Sequence, residues 1–195
     1  MSAWSARRIN AGRSPPGRCV ASPKLIVTGA VHGNEVCGRL GILRVIDDLN
    51  SGRTRLLRGS VTFVPVTNPL AYNKVQRAGD RNLNRNLGPV ASPQDFEDHI
   101  ANWLCPLLAS HDALLDLHST RASNPAFAML GPRNNNGPLQ PFSHFEKERA
   151  LARHLGVRYL YRESPPPVAS GPTTELTAAT LATLPNALRQ QLAEA

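Results

Sequence analysis

The sequence predicts an α/β fold, with a mixed, mostly parallel sheet flanked by helices. Three compact apolar runs, at residues 24–28 (KLIVT), 61–66 (VTFVPV) and 113–117 (ALLDL), have the length and the aliphatic character of buried strands. Between them lie two stretches with apolar residues at helical spacing. Strand, helix, strand, helix, strand at these intervals packs as parallel strands joined by crossover helices.

The elements follow in order. Residues 1–23 are turn-rich, with Ser14, Pro15, Pro16 and Gly17, and offer at most a short edge strand around Ile9. After KLIVT and Gly29, residues 35–49 repeat Val36, Leu40, Leu43, Ile46 and Leu49 at helical spacing, so one face packs on the sheet, and Asn50, Ser51 and Gly52 stop the helix. Pro65 pushes the second strand toward an edge or an end. Asn68-Pro69 turns the chain, and no period follows until about Pro89. Ser92, Pro93, Gln94 and Asp95 read as a capping signal with Pro at the first helical position, for an amphipathic helix carrying Phe96, Ile100, Trp103, Leu104, Leu107 and Leu108. The third strand ends on His118. Residues 143–146 resemble a second capping box, opening a helix through Leu155 that Gly156 ends, with a short strand at 157–161. A proline-rich loop at 164–172 precedes a helix-prone tail interrupted at Pro185. One domain over 1–195 is expected, with 1–23 and 164–195 its least defined ends.

Composition narrows the class. A chain of 195 residues, 41% hydrophobic and 18% charged, is an ordinary globular sequence. A chain of this length buries roughly 70% of the surface that its unfolded form exposes. Cys19, Cys37 and Cys105 are an odd number at wide spacing, which argues against a disulfide framework or a cysteine metal site and for a reducing cytoplasm. Cys37 is expected to be buried on the packing helix. The N-terminal arginines have no apolar run beside them, and no stretch reaches the length of a membrane span. The net charge of +8 raises the question of nucleic acid, but nineteen Arg and three Lys are spread along the chain, aromatics are 5%, and no recognition helix or stacking platform is present. A basic field also concentrates small anionic substrates.

The chemistry concentrates at two strand ends. His32, Gly33, Asn34 and Glu35 follow the first strand, and Asp116, Leu117 and His118 close the third. Ligands of open α/β sheets bind beyond the carboxyl ends of the strands, so both segments face one crevice. Glu35 is expected to fall on the side of His32 once the chain turns helical. Two imidazoles and one carboxylate are the ligand set of a hydrolytic zinc site that keeps a fourth position open for water. Asp116, two residues before His118, leans to the same face and is placed to accept the second ring N–H of a ligand histidine. Taken alone, each half also fits a bland reading, a turn before a helix and a strand end with a satisfied histidine. His99, His111, His144 and His154 have no partnered spacing.

Between the two halves, residues 77–85 (RAGDRNLNR) hold three arginines and two asparagines, a composition shared by solvated loops and by carboxylate-binding loops. Taken in order, GAVHGNE (29–35), TNPLA (67–71), RAGDRNLNR (77–85) and DLHS (116–119) resemble the succinylglutamate desuccinylase/aspartoacylase family, a branch of the zinc carboxypeptidase-like hydrolases. The resemblance runs from about Lys24 through Pro132. It implies one zinc ion per chain, held by His32, Glu35 and His118. It implies that Arg77 polarises the scissile carbonyl and stabilises the oxyanion, and that Asn84 and Arg85 grip the substrate carboxylate. The implied reaction is hydrolysis of the amide of a small anionic N-acyl amino acid. A later glutamate would be the general acid/base; Glu175 stands about where the family has it, without the usual following glycine, and Glu163 is the other candidate. The C-terminal β domain of typical members is not recognisable before Ala195. Two other readings stay open, a zinc carboxypeptidase on short peptides and a non-catalytic zinc-binding relic. The sequence says nothing of oligomeric state.

Overall fold

The computed structural model describes residues 5–12, 22–120, 125–131 and 144–161. Four strands form the main sheet: β1 (Arg7–Asn10), β2 (Lys24–Gly29), β3 (Ser60–Val64) and β4 (Ala113–Leu117), in the order β1-β3-β2-β4. β2 pairs in parallel with both β3 and β4, and β1 pairs antiparallel with β3. The expected mixed, mostly parallel sheet is therefore present, with an Arg-rich edge strand, a charged edge that discourages pairing with another chain.

β2 lies between two parallel neighbours, and every residue in it after Lys24 is buried. This is why it reads as an uninterrupted apolar run rather than an alternating one. Its two faces meet different helices. Leu25 and Val27 pack with Ile42 and Ile46 of α1 (Cys37–Asn50), with Val61, Phe63 and Ala113 completing that layer. Ile26, with Val64 and Leu114, packs under Trp103, Leu107 and Leu108 of α3 (Phe96–Ala109). A fully buried Ile or Leu contributes on the order of 1.5–3 kcal/mol relative to exposure, so the centre of β2 anchors both layers.

The structure corrects several expectations. α1 starts at Cys37, after Glu35, and its packing face is Gly38, Ile42 and Ile46, while Val36, Leu40 and Leu43 remain exposed. Cys37 is exposed rather than buried. Asp95, not Ser92, caps α3, accepting from Asp98 N, so Pro93 lies outside the helix. Asn68-Pro69 does more than turn the chain, because it opens α2 (Pro69–Lys74) with the Asn68 side chain accepting from Ala71 N and Pro at the first position. Six residues are too few to show a period, but that cap was a readable signal. A second, two-stranded parallel sheet joins β5 (Phe127–Leu130), which the sequence reading passed over, to β6 (Arg158–Tyr161) through α4 (Phe145–His154). Ser143, the expected cap of α4, lies outside the described residues, and His144 stands at the cap position without a side-chain bond. Among the described residues no helix is long and apolar enough to cross a membrane.

Candidate metal centre

The chain leaves β2 toward β3 on one side and returns to β4 on the other, so the ends of β2 and β4 flank a topological switch point. Register places Thr28 opposite Asp116 and Gly29 opposite Leu117, which sets His118 beside the segment that follows Gly29. On that segment Ala30 adopts a positive φ of 48° and Val31 is buried, and His32 emerges into a tight turn in which Glu35 N donates to His32 O at 3.1 Å. This turn, rather than the helix, carries Glu35 back to His32. It rests on α2, and a Cβ on Gly33 would stand 2.0 Å from both C and O of Ala71. The α2 turn is in turn tied to the end of β2, because Thr67 N and Oγ1 both donate to Gly29 O and Asn68 N donates to Ala30 O.

Glu35 is the hub. Its Oε1 lies 2.9 Å from His32 Nδ1 and accepts from Arg77 Nη1 at 3.0 Å. Its Oε2 lies 2.8 Å from His118 Nδ1 and accepts from Ser119 N at 3.0 Å. Burial would raise the carboxyl, but hydrogen bonds from His118, His32 and Ser119 outweigh it and hold Glu35 far below the usual carboxylate range. Burial likewise opposes charge on His118, yet its bonds to Asp116 and Glu35 push it up to about 10. The His32 and His118 ring centroids are 5.0 Å apart.

The outer nitrogens are also engaged. His118 Nε2 lies 2.7 Å from Asp116 Oδ2, and the other oxygen of this buried carboxylate accepts from Thr28 Oγ1 at 2.7 Å. His32 Nε2 lies 3.1 Å from Asn82 Oδ1 and 3.3 Å from Asn84 Oδ1. Each Nδ1 donates to Glu35, and the acceptors on both Nε2 atoms would hold a proton there if a metal ion took the place of the proton on Nδ1. The three ligand atoms lie within 4.8 Å of one another, the group among the described residues that could hold a metal ion.

The structure brings together His32, Glu35, His118, Arg77 and Asn84, with Arg85 Nη1 donating to Asn84 O and Oδ1. The 77–85 loop is not a solvated run, since Leu83 and Asn84 are buried in it. Asn82 was passed over in the sequence, although its place two residues before Asn84 was a signal. Glu175 and Glu163 lie outside the described residues.

An open, mostly parallel sheet with helices on both faces and this cluster at its carboxyl edge defines a zinc carboxypeptidase-like α/β fold. Residues 21–184 match the Succinylglutamate desuccinylase/Aspartoacylase catalytic domain, and the chain belongs to that family. It is 36% identical over 126 residues to the N-acyl-aromatic-L-amino acid amidohydrolase (carboxylate-forming) of Rattus norvegicus, a match that covers 58% of this chain and 38% of the relative. The Mus musculus protein of the same name is 37% identical over 123 residues, covering 56% and 37%. The matched part thus spans little more than a third of either relative. Among solved structures, succinylglutamate desuccinylase from Vibrio cholerae superposes with a TM-score of 0.61 at 19% identity, covering 90% of this chain and 58% of that one. An aspartoacylase family protein from Mesorhizobium loti gives 0.57 at 24% identity, covering 80% and 46%. Both share the fold.

Proposed function

We propose that this protein is a zinc-dependent hydrolase that cleaves the amide of an N-acyl amino acid into a carboxylic acid and a free amine. The observation that carries the reading is the convergence of two Nδ1 atoms and one carboxylate within 4.8 Å, each histidine braced on its far side. The donor chemistry fits the ion, since two neutral imidazoles and a carboxylate suit zinc and leave a coordination position free. When bound, zinc would supply the Lewis acidity that lets water act as a nucleophile at neutral pH.

The chain's own residues divide the remaining work. The Arg77 side chain is 55% exposed while its Nη1 bonds to Glu35, so it stands at the rim beside the candidate ligands, suited to stabilising charge that develops on the carbonyl oxygen. Asn84 and Arg85, adjacent and hydrogen-bonded, would grip the substrate carboxylate through a neutral and a charged donor. Glu175 would take a proton from the attacking water and return it to the leaving amine, a role that rests on the family resemblance. The net charge of +8 favours an anionic substrate. The names of the rat and mouse relatives direct attention to aromatic side chains on that substrate. Two described cysteines, Cys37 and Cys105, are free, in keeping with a cytoplasmic setting.

The test is elemental analysis of protein purified without a metal-affinity tag, with amine release measured on N-acyl amino acids and on short peptides. The expected outcome is roughly one zinc per chain and faster cleavage of at least one N-acyl amino acid than of any peptide. Faster peptide cleavage would favour a carboxypeptidase. No zinc after zinc is supplied would sink the hydrolase reading.

Asp116 supplies a graded prediction. In the Asp116→Asn variant the His118 brace loses its charge while the side-chain volume stays. Zinc affinity, read by competition with a chromophoric chelator, is expected to fall roughly 10–100-fold, with the melting curve little changed.

A further inference from the structure

The loop that carries Arg77, Asn84 and Arg85 is held from beneath by one carboxylate. Glu97, in the first turn of α3, is 0% exposed, and its two oxygens accept four hydrogen bonds. Oε1 accepts from Asn68 Nδ2 at 2.8 Å and Gly79 N at 3.1 Å, and Oε2 accepts from Asp80 N at 3.1 Å and Arg81 N at 3.2 Å. Three successive backbone N–H groups therefore converge on one buried acid, the arrangement by which a chain binds an anion through its main chain. The approach is so close that a Cβ on Gly79 would lie 2.3 Å from Glu97 Oε1.

The rest of the clamp tightens the same joint. Arg81 pairs with Asp95 Oδ2 at 2.8 Å and Asp98 Oδ1 at 2.7 Å, and donates from Nη1 to Arg85 O at 2.8 Å. In the reverse direction, Phe96 N donates to Asp80 Oδ2 at 3.1 Å. Asn68 also caps the α2 turn on which the His32 turn sits. Glu97 thus bonds at once to the segment under His32 and to the loop holding Asn84 and Arg85.

We propose that Glu97 is a positioning residue that fixes the 77–85 loop relative to the metal ligands, and through it the recognition of the substrate carboxylate; the second half rests on the function proposed above. Glu97 hydrogen-bonds to Asn68, Gly79, Asp80 and Arg81, none of them a candidate metal ligand. Its oxygens are the common reference from which both the histidine turn and the carboxylate-binding loop are placed.

The test is Glu97→Gln in the full chain. Glutamine keeps the volume and one acceptor but turns an NH2 group toward two N–H donors, so one pair of bonds is lost whichever way the amide lies. Hydrogen–deuterium exchange is expected to accelerate at residues 79–81 by roughly tenfold or more, with β2 exchange and zinc content at wild-type values. The KM for an N-acyl amino acid is expected to rise by roughly tenfold, while the KM for its carboxamide stays, so discrimination between the two shrinks. Gly79→Ala, which presses on Glu97 from the loop side, is expected to reproduce both effects and keeps the test open if the first variant folds poorly. Wild-type exchange at 79–81 in both variants, or uniform loss of protection together with zinc, would overturn the assignment. A wild type that hydrolyses neither substrate would sink the functional reading, and the exchange result would then decide by itself whether Glu97 holds the loop.

Discussion

Replacing His118 with alanine is expected to abolish both bound zinc and hydrolysis, the largest functional effect of any single change at this centre. Three protein ligands are the usual set for a catalytic zinc, and in the proposed site His118 would supply one of them. Its removal also leaves the buried Asp116 carboxylate with the Thr28 hydroxyl alone among its described partners, and Glu35 Oε2 with Ser119 N alone. Zinc by elemental analysis is expected to drop to background, and activity by on the order of a thousandfold, the scale of losing a group that stabilises the transition state. The fold is expected to survive, because His118 follows the end of β4 and its side chain is 26% exposed, outside the apolar layers. A variant that kept its zinc would show that these residues are not the ligand set.

Gly33→Ala is expected to give the largest loss of stability near the site. The new Cβ would lie 2.0 Å from C and O of Ala71 and 2.3 Å from Tyr72 N. All three are backbone atoms, so no rotamer change relieves the clash, and either the His32 turn or α2 must move. Overpacking typically costs about 1–3 kcal/mol and occasionally more, and the contact here is with main chain, which places this substitution at the upper end. A change of 1 kcal/mol lowers Tm by roughly 2–4 °C in a domain of this size. A melt run in chelator is expected to fall by more than about 6 °C on that scale, and zinc affinity is expected to fall with it because His32 is carried on the displaced turn. An unchanged melt with unchanged affinity would mean that the turn and α2 separate without cost.

Much of this architecture was legible in the chain because its cause is local. Residues 113–117 form the expected strand, and 24–28 and 61–64 lie within β2 and β3, since compact aliphatic runs have few alternatives to a buried strand. α3 follows its helical period, although its cap is Asp95. The order of motifs pointed to the family before any contact was known. What escaped was short or relational. α2 is six residues long, and β5 is only four, although Asn124-Pro125 and Gly131-Pro132 bracket it in the sequence. For α1, the period was right and the face was wrong. Leu40 is 55% exposed while Gly38 is buried, because close packing against the β4 end favours the residue without a side chain. Glu97 carries no mark of its role along the chain, since an acid in the first turn of a helix is ordinary where the helix dipole favours it.

By itself the sequence determined the α/β class and the residue types of a candidate metal centre, His32, Glu35 and His118, since local period and ligand chemistry depend on neighbours along the chain. Only the tertiary structure decided which atoms meet. Glu35 reaches both imidazoles because a tight turn, not the helix, folds it back, and because the β2–β4 register sets residues 35 and 118 side by side. It also decided that Asn82 and Asn84 face His32 Nε2, and that one buried carboxylate, Glu97, supports three successive loop amides. Such contacts join residues tens of positions apart, and their energy exists only once burial has removed the water that would otherwise satisfy each group.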